Sequence, residues 1–403
     1  MKIRILGGGI AGLAAAFQLQ EKHEVVVHEA GARVGGNIYT EQPDAFDGCY
    51  VEWGPNGFLD NEPATLDLIR RLGLESRLVR ARSDRRFLWR AGKLRELPSS
   101  PRGFLTSDFL PLHARLRLML APLTKAGARG NETIHAFAAR RMGKTVADTL
   151  VDAFVGGVYA GDPKRLELRT AAPRIATGGA MPTGPKGRLT SFDHGMSVLI
   201  DALAERVDVR TNVKTTLARG EDDRVMCAIP APRAAPLCDD PLRSLLERIP
   251  TAPIAVIAMA FQESKHALDV PAAFGFLAPH GQGLRILGTL YDSDIFAGRA
   301  PEGLRLFRTM IGGRRDADAV GLTDDELTEI AARDLRQAWG RFPDPVAVQV
   351  IRHPLGIAQY EVGHGDLVQS IEAAAPAWLR LCGSSYRGIA LNACIKEALD
   401  WAP

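Results

Sequence analysis

Two spacings of apolar residues alternate along the chain, and they separate strands from helices. Short apolar runs at 3–6, 25–28, 225–229 and 379–382 are bounded by glycine or charge and read as buried strands. The run over 252–261 is nearly continuous and of strand length, which predicts a central strand covered on both faces. Residues 274–277, 286–291 and 304–311 are expected to be further strands of that sheet, with 346–352 the last. Runs at 85–89 and 93–97 flank Ala91-Gly92 as a hairpin, and 50–53 and 207–210 are short strands. Helical spacing occupies 13–22, 64–72 (between Pro63 and Gly73), 196–206, 323–339 with its acidic first turn, and 391–399. From 98 to 162 the pattern is mostly helical, with two helices over 131–154 broken at Gly143 and a glycine-rich turn over 154–163. Residues 54–59 and 176–189 read as irregular loops.

Composition narrows the class without naming a function. A chain of 403 residues, 46% apolar and 24% charged, suits a soluble globular protein of two or three domains. A net charge of +3 gives no argument for nucleic acid as a partner. Lys and Arg are dense between Arg70 and Arg141, where a membrane surface, an acidic ligand or plain solvation would each suit them. Within that region 110–123 sets six leucines among His113, Arg115 and Arg117. Such a basic amphipathic segment lies in a membrane interface or packs on a neighbouring helix. The five cysteines are scattered without metal-ligand spacing, which points to reduced thiols. The chain enters a strand at once, so no leader is expected, and no run reaches the ~18 apolar residues of a spanning helix.

Chemistry enters at the first strand–helix junction. Gly7, Gly9 and Gly12 fill G-x-G-x-x-G, Ile10 and Ala11 between them count with the cofactor-binding residues, and Glu29 ends the second strand. The first glycine permits the turn, the second lets a pyrophosphate reach the backbone, and the third lets helix and strand close up. The helix N-terminus offers free N–H groups and partial positive charge, and Glu29 stands where a ribose hydroxyl needs an acceptor. Arg33, Gly36 and Asn37 follow directly, in a run that resembles the second flavin signature of the amine-oxidase and phytoene-desaturase superfamily. That resemblance makes FAD the expected cofactor. The loop Gly54-Pro55-Asn56-Gly57 has the backbone freedom to approach a flat ligand.

Four further stretches resemble the protoporphyrinogen oxidase family from end to end. They are 54–59, 157–162, His353-Pro354-Leu355-Gly356-Ile357 with Gln359-Tyr360 and Gly363-His364, and 383–388 with Asn392, Cys394 and Ile395. The resemblance implies a mixed α/β chain with a Rossmann-like FAD domain of the p-hydroxybenzoate hydroxylase type. A mixed-sheet substrate domain and a helical, membrane-associated domain accompany it. The FAD domain is expected over 1–80, 164–228 and 353–403, the substrate domain over 81–97 and 229–352, and the helical domain over 98–163. It also implies oxidation of protoporphyrinogen IX by O2 in three two-electron flavin cycles, a homodimer, and a cytoplasmic protein peripheral to the inner face of the membrane. Carried residue by residue, it puts Arg86 on a propionate, Phe274, Leu277 and Met310 around the pyrroles, and Gly157 on them through its backbone. Gly54, Pro55, Asn56, Gly57, Val213, Ile389 and Leu391 fall to the FAD. No nucleophile triad or metal cluster is offered, and flavin chemistry needs neither.

The chain departs from the family pattern at 176–189 and 213–228, both shortened, and at Ala358 and Ala393, which replace Pro and Asp. The first departure bears on membrane attachment, and the second and fourth bear on FAD affinity. Coproporphyrinogen III is the nearest alternative substrate, and an amine or a carotenoid the next within the superfamily. A porphyrin- or FAD-binding protein without turnover is the reading from another class.

Overall fold

The computed structural model describes residues 1–98, 103, 108–124, 127–178, 187–263, 270–341 and 343–403. The core of the expected 176–189 loop, residues 179–186, lies outside them. Two sheets organise what is described. The first is five-stranded and all parallel, in the order Val209–Arg210, Glu24–His28, Lys2–Leu6, Arg224–Cys227, Leu379–Leu381. Ile3 and Ile5 bury one face under the helices Ile10–Leu19, Ser197–Ala204 and Leu391–Leu399, while Leu6, Val225 and Cys227 bury the other with Leu367, Val368 and Ile371. Cover on both faces is what a parallel sheet requires. The C-terminal strand and helix thus close the sheet that the N-terminus begins.

The second sheet has seven strands, ordered Ala347–Ala358, Thr251–Gln262, Leu304–Gly312, Gly288–Leu290, Gly275–Leu277, Arg86–Arg90, Lys93–Glu96. It is antiparallel except where Gly275–Leu277 pairs Arg86–Arg90 in parallel. The apolar run near 252–261 is central and buried from Ala255 to Phe261, as its composition predicts. Helix Asp324–Trp339 covers one face and starts at a capping box between Thr323 and Glu326. The hairpin turns through Ala91 and Gly92, both at positive φ (51° and 75°).

Three local expectations need correction. Residues 154–163 are not a turn throughout: helix Asp152–Tyr159 runs through Gly156 and Gly157 and ends at Ala160 in the left-handed region. A tertiary contact overrides the weak helix propensity of glycine there, because a Cβ on Gly157 would lie 2.5 Å from the Leu277 side chain. The last strand of the large sheet extends to Ala358 rather than ending near 352. It passes Pro354 because it is an edge strand, and the register slips opposite Pro253, so neither proline breaks a ladder bond. Phe58–Leu59, read as irregular, forms a short strand paired with Leu189–Phe192.

A helical layer sits beside the hairpin. Leu112–Met119, Ile134–Met142, Lys144–Val146 and Asp152–Tyr159 pack on Leu88 through Ala114, Ala138, Met142, Val146 and Ala153. The break at Gly143 falls where expected. Leu112, Leu116, Met119, Leu120 and Leu123 instead face outward and are half or more exposed. Among the described residues no helix is long and apolar enough to cross a membrane.

Candidate flavin cleft and substrate wall

The strand Lys2–Leu6 delivers Gly7 at φ 104° and lets the helix Ile10–Leu19 begin at once, with Gly9 as its N-cap in extended backbone. No side chain caps that helix, so its first N–H groups remain available. The three glycines differ in what confines them. A Cβ on Gly12 would lie 2.0 Å from the Gly7 carbonyl oxygen, whereas one on Gly9 would meet nothing within 4 Å. Gly12 is therefore a packing glycine, and Gly9 borders open space where an anion can reach the helix. The Glu29 carboxylate is held in place by the N–H groups of Gly8 (2.8 Å) and Gly31 (2.7 Å). Each oxygen keeps a further lone pair for a hydroxyl.

The segment after Glu29 folds back on this turn. Gly35 donates to the Gly8 carbonyl at 2.7 Å, and a Cβ on Gly36 would come within 3.7 Å of the Gly9 Cα. Arg33 lies over the Tyr39 ring and donates to the Val34 and Gly36 carbonyls. Asn37 continues the rim, with its carbonyl 2.2 Å from where a Cβ on Gly54 would sit. Gly54 is thereby joined to the segment after Glu29, while Asn56 bonds Asp292 and Gly57 packs on Thr190 and Phe296. Val213 donates its N–H to the Glu29 carbonyl at 2.9 Å, which places it at the acid's end of the cleft. Gly383 lies 3.9 Å (Cβ position) from Ala11, so the C-terminal turn carrying Ile389 and Leu391 meets the first turn of the opening helix. This cradle, open at Gly9 and lined by two uncapped helix N-termini, fits a dinucleotide. The residues present would hold FAD, with Glu29 at the ribose and the glycine turn at the phosphates.

The five residues expected at the substrate come together on the large sheet and the helix beside it. Gly275 pairs with Arg86, Leu277 with Gly288, and Gly288 with Met310, so one strip of sheet carries Arg86, Phe274, Leu277 and Met310. Gly157 closes against Leu277 from the helical layer. The Arg86 guanidinium lies 4.3 Å over the Phe274 ring, and among the described residues its sole hydrogen bond is a 3.4 Å contact with the Asp84 carbonyl. Burial lowers its pKa from the ordinary arginine value, and no carboxylate side chain bonds to it. Its neighbour Arg85 is committed to Glu96 at 2.9 and 3.1 Å. Among the described residues the wall therefore offers one uncommitted cation above an apolar strip.

Sequence reading missed Arg308 and Asp292, which join cleft and wall through residues it had named without that role. Arg308, 2% exposed, pairs with buried Asp292 and donates to the Glu52 and Gly54 carbonyls, both at 2.8 Å. Asp292 also accepts from Asn56 at 3.3 Å, and His353 bonds the Trp53 carbonyl at 2.7 Å. Burial lowers the His353 pKa, so its ring is neutral with Nε2 as the donor. The available signal was a charged residue inside an apolar strand, spaced two from Met310. Gln359 and Tyr360 tie the helical layer to the C-terminal turn: Gln359 donates to the Tyr159 carbonyl at 2.8 Å, and the Tyr360 hydroxyl receives the Gly388 N–H at 2.7 Å.

Known proteins agree with this geometry. The family model of flavin containing amine oxidoreductases matches residues 10–400. A chloroplastic protoporphyrinogen oxidase from Oryza sativa subsp. japonica is 31% identical over 99% of this chain and 87% of its own length. A coproporphyrinogen III oxidase from Bacillus subtilis (strain 168) is 24% identical over 98% of this chain and 95% of its own. In fold, a crystal structure from Exiguobacterium sp. 255-15, provisionally named a protoporphyrinogen oxidase, superposes with a TM-score of 0.85 at 23% identity, covering 99% of this chain and 97% of that one. With the cradle and the full-length match together, the chain belongs to the flavin-containing amine oxidoreductase family, on its protoporphyrinogen oxidase branch.

Proposed function

We propose that this protein oxidises protoporphyrinogen IX to protoporphyrin IX, with FAD as acceptor and O2 as terminal oxidant. The observation that carries the reading is one uncommitted guanidinium, Arg86 over Phe274, at the edge of an apolar strip of Leu277, Met310 and Gly157. A largely apolar macrocycle with two propionates on one side needs that combination: an apolar bed, and a planar donor fork at one end. When bound, FAD would supply the redox chemistry of each of three turns, a two-electron oxidation of the substrate coupled to reduction of O2 to H2O2. The chain's own work is to hold the ring against the strip, orient it by a propionate, and fix the cofactor through Gly7, Gly9, Gly12 and Glu29. The domain limits given above belong to this reading, as does the assignment of Gly54–Gly57, Val213, Ile389 and Leu391 to FAD.

Coproporphyrinogen III carries four propionates, and a site for it calls for more uncommitted cations than the described residues of this wall present. The relative in Bacillus subtilis makes it the substrate to run in parallel. The deciding experiment uses the purified flavoprotein in air. Porphyrin fluorescence rising above the autoxidation blank with protoporphyrinogen IX supports the proposal. A rate at least tenfold higher with coproporphyrinogen III would transfer the assignment, and bound flavin without turnover on either would replace it by a binding role.

The same proposal includes a peripheral membrane contact on the cytoplasmic side, made by one helical face. Leu112, Leu116, Met119, Leu120 and Leu123 are exposed, with the half-buried Arg115 and Arg117 on the same segment, and a homodimer is expected from the family. Flotation with anionic liposomes should retain the protein, and Leu120→Glu with Leu123→Glu should release it. Failure of the wild type to float would limit the proposal to the soluble reaction.

A further inference from the structure

We propose that Arg308 is a positioning residue that sets the flavin-side loop against the substrate wall. This rests on the flavin reading of residues 54–57. Strand Leu304–Gly312 alternates its faces, so Arg308 and Met310 point to the same side. That side meets Val51 and Trp53, while Phe307 and Ile311 enter the core beneath helix Asp324–Trp339. A single strand therefore carries both a residue of the substrate wall and the guanidinium that grips the chain leading into the loop.

The grip is complete. The carbonyls of three consecutive residues are held from the large sheet: Glu52 and Gly54 by Arg308 at 2.8 Å each, and Trp53 by His353 at 2.7 Å. The Asn56 side chain donates to Asp292, whose carboxylate fixes the Arg308 fork. A peptide whose carbonyl is pinned cannot rotate without breaking a bond to a buried donor, so the path of residues 52–56 is set by the sheet. Buried ion pairs seldom add stability over apolar packing, which leaves specificity of arrangement as the role such a pair can serve. Here the arrangement fixed is the distance between the wall at Met310 and the loop at Gly54. Displacement of about 1 Å between reacting partners costs on the order of 100-fold in rate.

The test compares Arg308→Lys, which keeps the charge and loses the fork, and His353→Ala, which frees one carbonyl. Asp334→Asn serves as the control: it is fully buried and holds the Arg285 and Ile286 N–H groups, away from the loop. Each FAD-loaded protein is read by its flavin absorption bands and midpoint potential, and by the anaerobic rate of flavin reduction by protoporphyrinogen IX. The expected result is a shifted flavin band and potential in Arg308→Lys and His353→Ala. The reduction rate should fall about 10- to 100-fold with substrate KM little changed. Asp334→Asn should lower thermal stability alone. Spectra, potential and rate all like the wild type in folded Arg308→Lys and His353→Ala would overturn the proposal, as would loss of FAD or of folding in both. If the wild-type flavin is not reduced by the substrate, the proposed reaction fails, while band and potential still decide the clamp.

Discussion

Gly9 and Gly12, three residues apart, separate loss of cofactor from loss of fold. A methyl at Gly9 enters open space at φ −76°, a conformation any residue adopts. Alanine gives up some N-cap preference, about 1 kcal/mol, and recovers about 0.4–1 kcal/mol by restricting the unfolded chain. Gly9→Ala is therefore expected to melt like the wild type without cofactor yet bind FAD at least about tenfold more weakly, since a methyl keeps phosphate from the backbone. Gly12→Ala must displace the Gly7 carbonyl and should cost about 1–3 kcal/mol in denaturant unfolding of the apoprotein. Equal FAD affinity in Gly9→Ala would remove the phosphate from that turn. Arg86 makes the second residue-scale case. Its truncation to alanine removes a charge-assisted bond worth about 1.5–3 kcal/mol when buried, less here because the side chain is only partly shielded. Protoporphyrinogen KM is expected to rise about 5- to 30-fold with FAD content unchanged, measured by initial rates and flavin absorbance. Gly7 and Glu29 stood out in the sequence because motif spacing marks them, whereas Arg86 was singled out by the family resemblance alone. Arg308 and Asp292 did not stand out, since their meaning depends on pairing across 16 residues with a loop more than 200 residues away.

At the scale of elements, the legible ones are those whose periodicity agrees with their local signals. Helix Asp324–Trp339 is the clearest: Thr323 accepts from the Glu326 N–H, Glu326 accepts from Thr323, three acids fill the first turn, and Gly340 ends it at φ 77°. Thr323→Ala should lower stability by about 1 kcal/mol in denaturant titration, and Thr323→Ser should restore it. An alanine variant as stable as the wild type would mean that packing on Leu327, Ile330 and Leu335 alone holds that end. The Glu326 carboxyl is held below its ordinary range by the Thr323 N–H and hydroxyl. A depressed acid contributes above the unfolded value, so the cap weakens as pH falls through the folded one. Helix Asp152–Tyr159 was illegible for the opposite reason. Its two glycines signal a turn locally, and only the approach of Leu277 explains why the chain keeps them within a helix. The strand through His353 and Pro354 was likewise hidden, because a proline is harmless only to a strand known to lie at an edge.

For the whole molecule, the question is what joins the helical layer to the large sheet, and Arg315 stands at that seam. Its guanidinium donates to the carboxylates of Asp152 at 2.6 Å and Asp162 at 2.9 Å, which stand at the start and just past the end of helix Asp152–Tyr159. Asp152 also accepts the His280 N–H at 2.8 Å, and Arg314 donates its N–H to the Ala160 carbonyl at 2.7 Å. The helix that brings Gly157 against Leu277 is thus latched to the end of the strand carrying Met310. The latch borders a polar cleft of about 610 Å³ lined by Lys144, Lys164, Arg165 and Arg314, so water and neighbouring charge screen it. Its coupling should then be modest, about 0.5–1 kcal/mol. Burial alone would raise the Asp162 carboxyl, but the bonds from Arg315 and the Lys164 N–H outweigh it and hold the group below the ordinary value. Stability from this acid is accordingly full above the unfolded pKa near ~3.9 and is lost as pH falls through the folded one. Neutral substitution should reproduce that loss at pH 7. Asp162→Asn and Arg315→Gln are each expected to speed amide exchange across 152–159 while leaving the strands 251–262 and 304–312 protected. Combined, they should give less than the sum of the two effects, because Arg315→Gln already removes the bond that Asp162 makes to it. Additive effects would show that Arg315 and Asp162 act separately, and exchange spreading equally into the large sheet would show that the seam is no boundary between two cooperative units.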